Sequence, residues 1–229
     1  MTTAIVLLSG GVDSATALAL ALREGHEVTA LSVDYGQRHR VELECAGRLA
    51  AGYGVAHKVA TIDLRAVGGS ALTSGAMALE RNRTLDDMTT VPRSYVPGRN
   101  TVMLSLALAW SEVLGASQII VGANAMDLRG FPDCRPEYLD AFEIVANLAR
   151  PHLGTLEVRA PLIRMSKADV LRCGLELGVD YSSTSTCYDP SDAGACGTCD
   201  ACMIRLAAFA EIGARDPIAY RLASVQAHS

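Results

Sequence analysis

Apolar and polar positions alternate in blocks along this chain. Residues 4–8 form a short apolar run suited to a buried strand, and residues 14–22 an alanine- and leucine-rich helical run. The same reading places further strands at 26–34, 55–62, 117–122 and 157–160, and helices at 41–51, 101–114, 136–149 and 166–177. Pro136 occupies a plausible first helical position, Ser166 caps the last of these helices, and Gly178 closes it. Strands that alternate with helices imply a parallel sheet covered on both faces, so the expected class is α/β and Rossmann-like.

Two stretches break the pattern. Residues 63–98 carry glycine, serine, proline and charge with little periodicity, and a loop that long inside a compact domain is usually functional or disordered. Residues 182–202 are rich in Ser, Thr, Asp, Gly and Cys and need something other than backbone pairing to hold them. The expected organisation is therefore a domain over 1–181, with 63–98 as an insertion loop. A cysteine-bearing loop plus helix over 182–229 packs on the same domain.

Composition narrows the class. The chain has 229 residues, half of them apolar, enough for a sizeable core and too apolar for general disorder. The N-terminal apolar stretch lacks a basic flank and is interrupted by Asp13, and no run reaches the length of a membrane span. A soluble cytoplasmic protein without membrane contact is expected. A net charge of −5 gives no global attraction to nucleic acid. Of the 20 basic residues only Lys58 and Lys167 are lysines, which singles those two out. Seven cysteines, an odd number, argue against a disulfide scaffold.

The first candidate for chemistry is Leu8-Ser9-Gly10-Gly11-Val12-Asp13-Ser14, between the first strand and the first helix. The two glycines let the backbone come close to a ligand, and a helix start aims unpaired N–H groups at it, an arrangement that suits a phosphate. It matches neither G-x-x-x-x-G-K-[ST] nor G-x-G-x-x-G. The competing reading is a tight turn capped by Ser14. The second candidate is Cys187-x8-Cys196-x2-Cys199-x2-Cys202. Four thiolates can close a tetrahedral shell around zinc, and a shell filled by protein is structural. An iron–sulfur cluster competes, but Cys187 is remote and the x3-C-P continuation is missing.

Other segments lie where strands or loops run into helices: Asp34-Tyr35-Gly36-Gln37-Arg38-His39, Val96-Pro97-Gly98-Arg99-Asn100, and Gly130-Phe131-Pro132-Asp133-Cys134-Arg135. S-G-G-x-D-S resembles the pyrophosphate loop of the ATP pyrophosphatases. With the four cysteines and these segments, the chain from Ala4 to about Phe209 resembles the 7-cyano-7-deazaguanine synthase family of the queuosine pathway. The resemblance implies a Rossmann-like fold, four-cysteine structural zinc, a homodimer, and conversion of 7-carboxy-7-deazaguanine, ammonia and ATP to the nitrile. It places Leu8 to Ser14 at ATP and the four cysteines at zinc. Asp34, Tyr35, Gln37, Arg38, His39, Arg99, Asn100, Asp127, Asp133, Arg135 and Lys167 fall at the active site. Leu128 and Phe131 stand where the family usually has tyrosine, and Arg129 where it has a small polar residue.

On that resemblance, Ser9, Gly10, Gly11 and Ser14 hold pyrophosphate, and Asp13 binds Mg²⁺ or orients the loop. Lys167 and Arg99 neutralise phosphate charge, Asp133 takes the guanidine-like edge of the base, and Arg135 takes its carboxylate. His39 reads as a base for ammonium, or as a cap or packing residue. Trp110 and the apolar run around it read as core or dimer interface, and Arg205 as folding back toward the site or decorating the final helix. The alternatives are a related ATP pyrophosphatase with another acceptor, or a nucleotide-binding sensor without turnover.

Overall fold

The computed structural model describes residues 2–221, so residues 222–229 of the expected C-terminal segment lie outside the described residues. Five parallel strands form one sheet: β1 (Thr3–Leu7), β2 (Glu27–Asp34), β3 (Ala56–Thr61), β4 (Gln118–Ile120) and β5 (Glu157–Arg159), in the spatial order β3-β2-β1-β4-β5. Among the described residues seven α-helices accompany them: α1 (Val12–Arg23), α2 (Val41–Gly52), α3 (Arg99–Leu114), the short α4 (Asp127–Gly130), α5 (Pro136–Ala149), α6 (Lys167–Glu176) and α7 (Asp200–Glu211).

Strand periodicity divides the core in two. Along β1, Ala4 and Val6 point to the face covered by α1, α2, α6 and α7, where Leu18, Leu49, Leu171 and Phe209 pack on them. Ile5 points to the other face and joins Leu31 and Ile119 beneath Leu104 of α3 and Leu139 and Phe142 of α5. The chain thus changes faces between the adjacent strands β1 and β4. A doubly wound sheet opens its ligand crevice at such a switch, beyond the carboxyl ends of the strands.

Two boundaries differ from the sequence expectation in a way that bears on function. α1 begins at Val12, two residues before the expected start, so Ser14 lies inside the first turn and is not its cap; Gly11 is. α3 begins at Arg99 on a left-handed Gly98 (φ 66°), which brings Arg99 and Asn100 into its first turn. By contrast α6 starts as expected, with Ser166 and Asp169 in a reciprocal capping box.

The two irregular stretches hold each other. Asn82 N–H donates to the Thr198 carbonyl at 2.7 Å, Arg81 pairs with Asp189 at 2.6 Å, and Arg83 grips Asp200 through two nitrogens. Arg205 does not reach the ligand crevice. It is buried, bonded to both Asp216 oxygens at 2.7 and 2.9 Å and to the Thr184 hydroxyl at 2.8 Å, and so ties α7 to the segment beneath it. Trp110 joins the core under α3, with the Lys58 ammonium 5.6 Å from its ring centre.

Candidate active site

The switch point carries a cavity of about 280 Å³, near the lower end of the range for small-molecule sites. The loop after β1 forms one wall. Gly10 has φ 85°, and a Cβ there would lie 2.0 Å from the Glu42 carbonyl, so only glycine lets the loop seat on α2. Gly122, just past β4, is equally constrained: its Cβ would meet the Ser14 backbone nitrogen at 2.8 Å. Gly122 thus brings the end of β4 against the start of α1, while Gly10 seats the loop on α2. The Ser14 hydroxyl donates to the Gly11 carbonyl at 3.2 Å and lies 3.1 Å from the Ser9 hydroxyl, which draws the loop into a ring. The first-turn N–H groups of α1 have no acceptor in their own helix and open on this side.

Lys167, the first residue of α6, crosses to α1 and places its Nζ 2.6 and 2.5 Å from the two Asp13 oxygens. Both Asp13 oxygens thus accept from Lys167, which fixes the carboxylate at the start of α1. An ammonium has three donors, so Lys167 keeps one for a ligand. Asp127 sits beside this pair, with Oδ2 accepting the Asn124 N–H at 2.9 Å. Burial, then the nearby Asp13 charge, push its carboxyl up to about 6 against the opposing pull of Lys167.

The opposite wall comes from α3 and the loop before α5. The Arg99 guanidinium lies 5.8 Å from the ring centre of Tyr35. Asp133 is buried; its Oδ2 accepts the Asn100 N–H at 3.1 Å and so anchors the start of α3. Asn100 Nδ2 donates to Cys134 Sγ at 3.0 Å, and burial pushes the Cys134 thiol up, which keeps it neutral. Burial likewise raises the Tyr35 and Tyr188 phenols, which stay protonated donors.

Several residues expected at the site stand elsewhere. Leu8, Ser9, Gly11, Asp13, Ser14, Tyr35, His39, Arg99, Asn100, Asp127, Asp133 and Lys167 line the cavity. Gly10 and Val12 lie behind its wall, in contact with α2 and in the core. Asp34 is turned to the Gly36 N–H and to Arg40, and Gln37 bonds the Tyr35 N–H and Glu42, so both shape the loop after β2. Arg38 is exposed and paired with Asp189 at 3.1 Å. Arg135 is exposed at the cap of α5 and outside the cavity wall. Of the three positions where the chain departs from the family, only Phe131 lines the cavity, against Tyr95 at 6.2 Å; Leu128 and Arg129 do not.

The sequence reading missed Glu42, Asn124, Thr186 and Tyr188, all on the wall. Asn124 Nδ2, Thr186 Oγ1 and His39 Nδ1 are buried without a hydrogen-bond partner among the described residues. Such groups are rare in proteins, and others among the described residues, at Tyr53, Ser94 and Arg150, lie away from the cavity wall.

Beside the cavity, the four sulfurs of Cys187, Cys196, Cys199 and Cys202 all lie within 4.8 Å of one another and are buried. A tetrahedral zinc with bonds of about 2.3 Å sets sulfurs about 3.8 Å apart, and Cys196 and Cys202 stand at 3.9 Å. Backbone N–H groups of Asp189 and Cys196 donate to Cys187 Sγ, and those of Thr198 and Cys199 to Cys196 Sγ, at 3.1 to 3.4 Å. These bonds favour thiolates, so the donor set fits a closed metal site. The cluster touches the cavity through Tyr188 and the Ser185 N–H, which donates to the Gly10 carbonyl at 2.9 Å.

Comparison with known proteins agrees with this architecture. The family model described as "Queuosine biosynthesis protein QueC" matches residues 3–213. A protein of Geobacter sulfurreducens named 7-cyano-7-deazaguanine synthase is 54% identical over 223 residues, 95% of this chain and 92% of its own length. Proteins of the same name from Kineococcus radiotolerans (54% identical, 95% of this chain and 97% of theirs) and Paramagnetospirillum magneticum (55%, 96% and 99%) are similar over nearly the same span. The glycine loop at a sheet switch point, the two cations on its cavity wall and the closed cysteine set thus sit in a chain that belongs to the QueC family of 7-cyano-7-deazaguanine synthases.

Proposed function

We propose that this protein converts 7-carboxy-7-deazaguanine, ammonia and ATP to 7-cyano-7-deazaguanine, acting as a ligase that forms a C–N bond. A carboxylate resists attack because the nucleophile must add charge to an anion. Transfer of AMP to one of its oxygens supplies a leaving group, ammonia displaces AMP to give the amide, and a second adenylation on the amide oxygen lets dehydration complete the nitrile. The observation that carries the reading is the junction of the Ser9–Ser14 loop with Lys167 and Asp13 at the mouth of α1, in a chain of this family.

The residues divide the work by charge. Ser9, Gly11, Ser14 and the first N–H groups of α1 hold the pyrophosphate as it leaves. Asp13 is a positioning residue: it fixes Lys167, whose remaining donor meets the phosphates. Lys167 and Arg99 are the permanent cations among the described residues of the cavity wall, and Arg99 takes the anionic charge at the far end. Asp133, already fixed to α3, is placed for the N–H edge of a deazaguanine, and Phe131 for its flat face.

Cys187, Cys196, Cys199 and Cys202 would hold one zinc ion that crosslinks the segment after α6 to α7. The free thiols fit a reducing compartment, and we place the protein in the cytoplasm; no described helix is long and apolar enough to cross a membrane. Val113 of α3 and Ile144, Val145 and Leu148 of α5 are large apolar residues left exposed, which supports a homodimer. Incubation with the acid, ATP, Mg²⁺ and ammonium, followed by mass spectrometry, tests the reading. Nitrile with AMP is the expected result; amide alone, or AMP release independent of the acid, would overturn it.

A further inference from the structure

The nitrogen of this reaction arrives carrying three hydrogens and leaves in a nitrile carrying none, so the site needs a proton acceptor close to the reacting carbon. Of the acidic groups on the cavity wall, Asp13 is held by Lys167 through both oxygens, while Asp133 and Asp127 each accept one backbone N–H, from Asn100 and Asn124, through Oδ2. His39 is different. It lines the cavity, is 3% exposed, and has Nε2 3.2 Å from Glu42 Oε2, while Nδ1 has no partner among the described residues.

Its surroundings fix it in place. Glu42 stands in the first turn of α2, and its Oε1 accepts from Gln37 Nε2 at 2.9 Å. Gln37 in turn is locked by the Tyr35 N–H at 2.8 Å and the Val33 carbonyl at 3.2 Å. The edge of the Tyr188 ring packs against the imidazole, with ring centres 5.7 Å apart. The Glu42 carboxylate beside Nε2 leaves Nδ1 as the ring nitrogen without a partner among the described residues.

We propose that His39 is the proton acceptor of amide formation, oriented by Glu42. As the ammonia nitrogen bonds to the acyl carbon of the adenylate, the bond from that carbon to the AMP oxygen breaks. AMP leaves with the electron pair, and one proton passes from nitrogen to His39 Nδ1. The imidazolium, balanced by Glu42, returns that proton to solvent when AMP departs. Glu42 is a positioning residue, since it acts through His39.

This inference rests on the nitrile-forming reading, and the experiment separates the two. Exchange of labelled pyrophosphate into ATP, dependent on the carboxylic acid and run without ammonium, reports adenylation alone; product formation with ammonium reports the whole reaction. In His39→Gln, exchange stays within about threefold of wild type while amide and nitrile formation falls about 100-fold or more. The loss lies in kcat and not in KM for ATP. Glu42→Gln keeps a partner for Gln37 and shows the same split with a smaller loss, so it decides the matter even if His39→Gln does not fold. A parallel fall in exchange and product in both variants, or full product formation by His39→Gln, would overturn the role of His39. Wild-type protein that makes no nitrile would instead overturn the reading beneath it.

Discussion

Two polar loops lie side by side in this protein and solve opposite problems. In the cysteine knot every donor is turned inward: the four sulfurs face one another within 4.8 Å, and backbone N–H groups close around them. In the cavity next to it, the loop after β1 is tied by its own serines, yet buried polar atoms of Asn124, Thr186 and His39 have no partner among the described residues. A closed donor set stabilises a segment that has no secondary structure to lean on. An open one costs stability unless a ligand completes it.

The largest effect is expected where the closed set is opened. Cys199→Ser should lose most of the zinc we propose for this set and unfold the 182–202 region, because metal binding and folding of such a site are one free energy. Metal analysis and thermal unfolding check this together, and a zinc-loaded variant with unchanged melting would contradict it. Next comes the end of the cavity where we propose that the phosphates bind. Lys167→Ala should reduce nitrile formation about 100-fold to 1,000-fold with its circular dichroism unchanged. Asp13→Asn should follow it closely, since the two act as a unit at 2.5 to 2.6 Å.

Asp127 sharpens the comparison through pH. Its folded carboxyl is raised to about 6, so between the ordinary carboxylate value and that point the folded chain holds a proton the unfolded chain has lost. Stability is then lost as pH rises through this window, and the cost is complete above it. Asp127→Asn removes the cost. Its melting temperature should gain on wild type more at pH 8 than at pH 5, and an equal gain at both would contradict the burial account. The smallest effects belong to Leu128→Tyr and Arg129→Ser, which should change kcat/KM less than about threefold because neither side chain reaches the cavity wall.

Features that depend on near neighbours in the chain were legible in the sequence. The Ser9–Ser14 loop and the four cysteines carry their chemistry in their spacing, and the capping box at Ser166 is written in four residues. Pairings across the fold were not legible. Glu42 reads as an ordinary acid in the first turn of a helix until Gln37 and His39 are seen to meet it. Within Asp34 to His39 the side chains diverge, so Tyr35 and His39 reach the cavity while Asp34 and Gln37 brace the loop and Arg38 turns to Asp189. Arg135 looked equivalent to Asp133 two residues away, yet the turn that buries Asp133 leaves Arg135 at the solvent-exposed cap of α5.

The central claim is that AMP is attached twice to oxygens that began in the substrate carboxylate. The direct test is to supply 7-carboxy-7-deazaguanine with both carboxyl oxygens labelled with oxygen-18 and to weigh the products. The account predicts two AMP per nitrile, each carrying one labelled oxygen, and unlabelled pyrophosphate. Unlabelled AMP, or label in pyrophosphate, would contradict it.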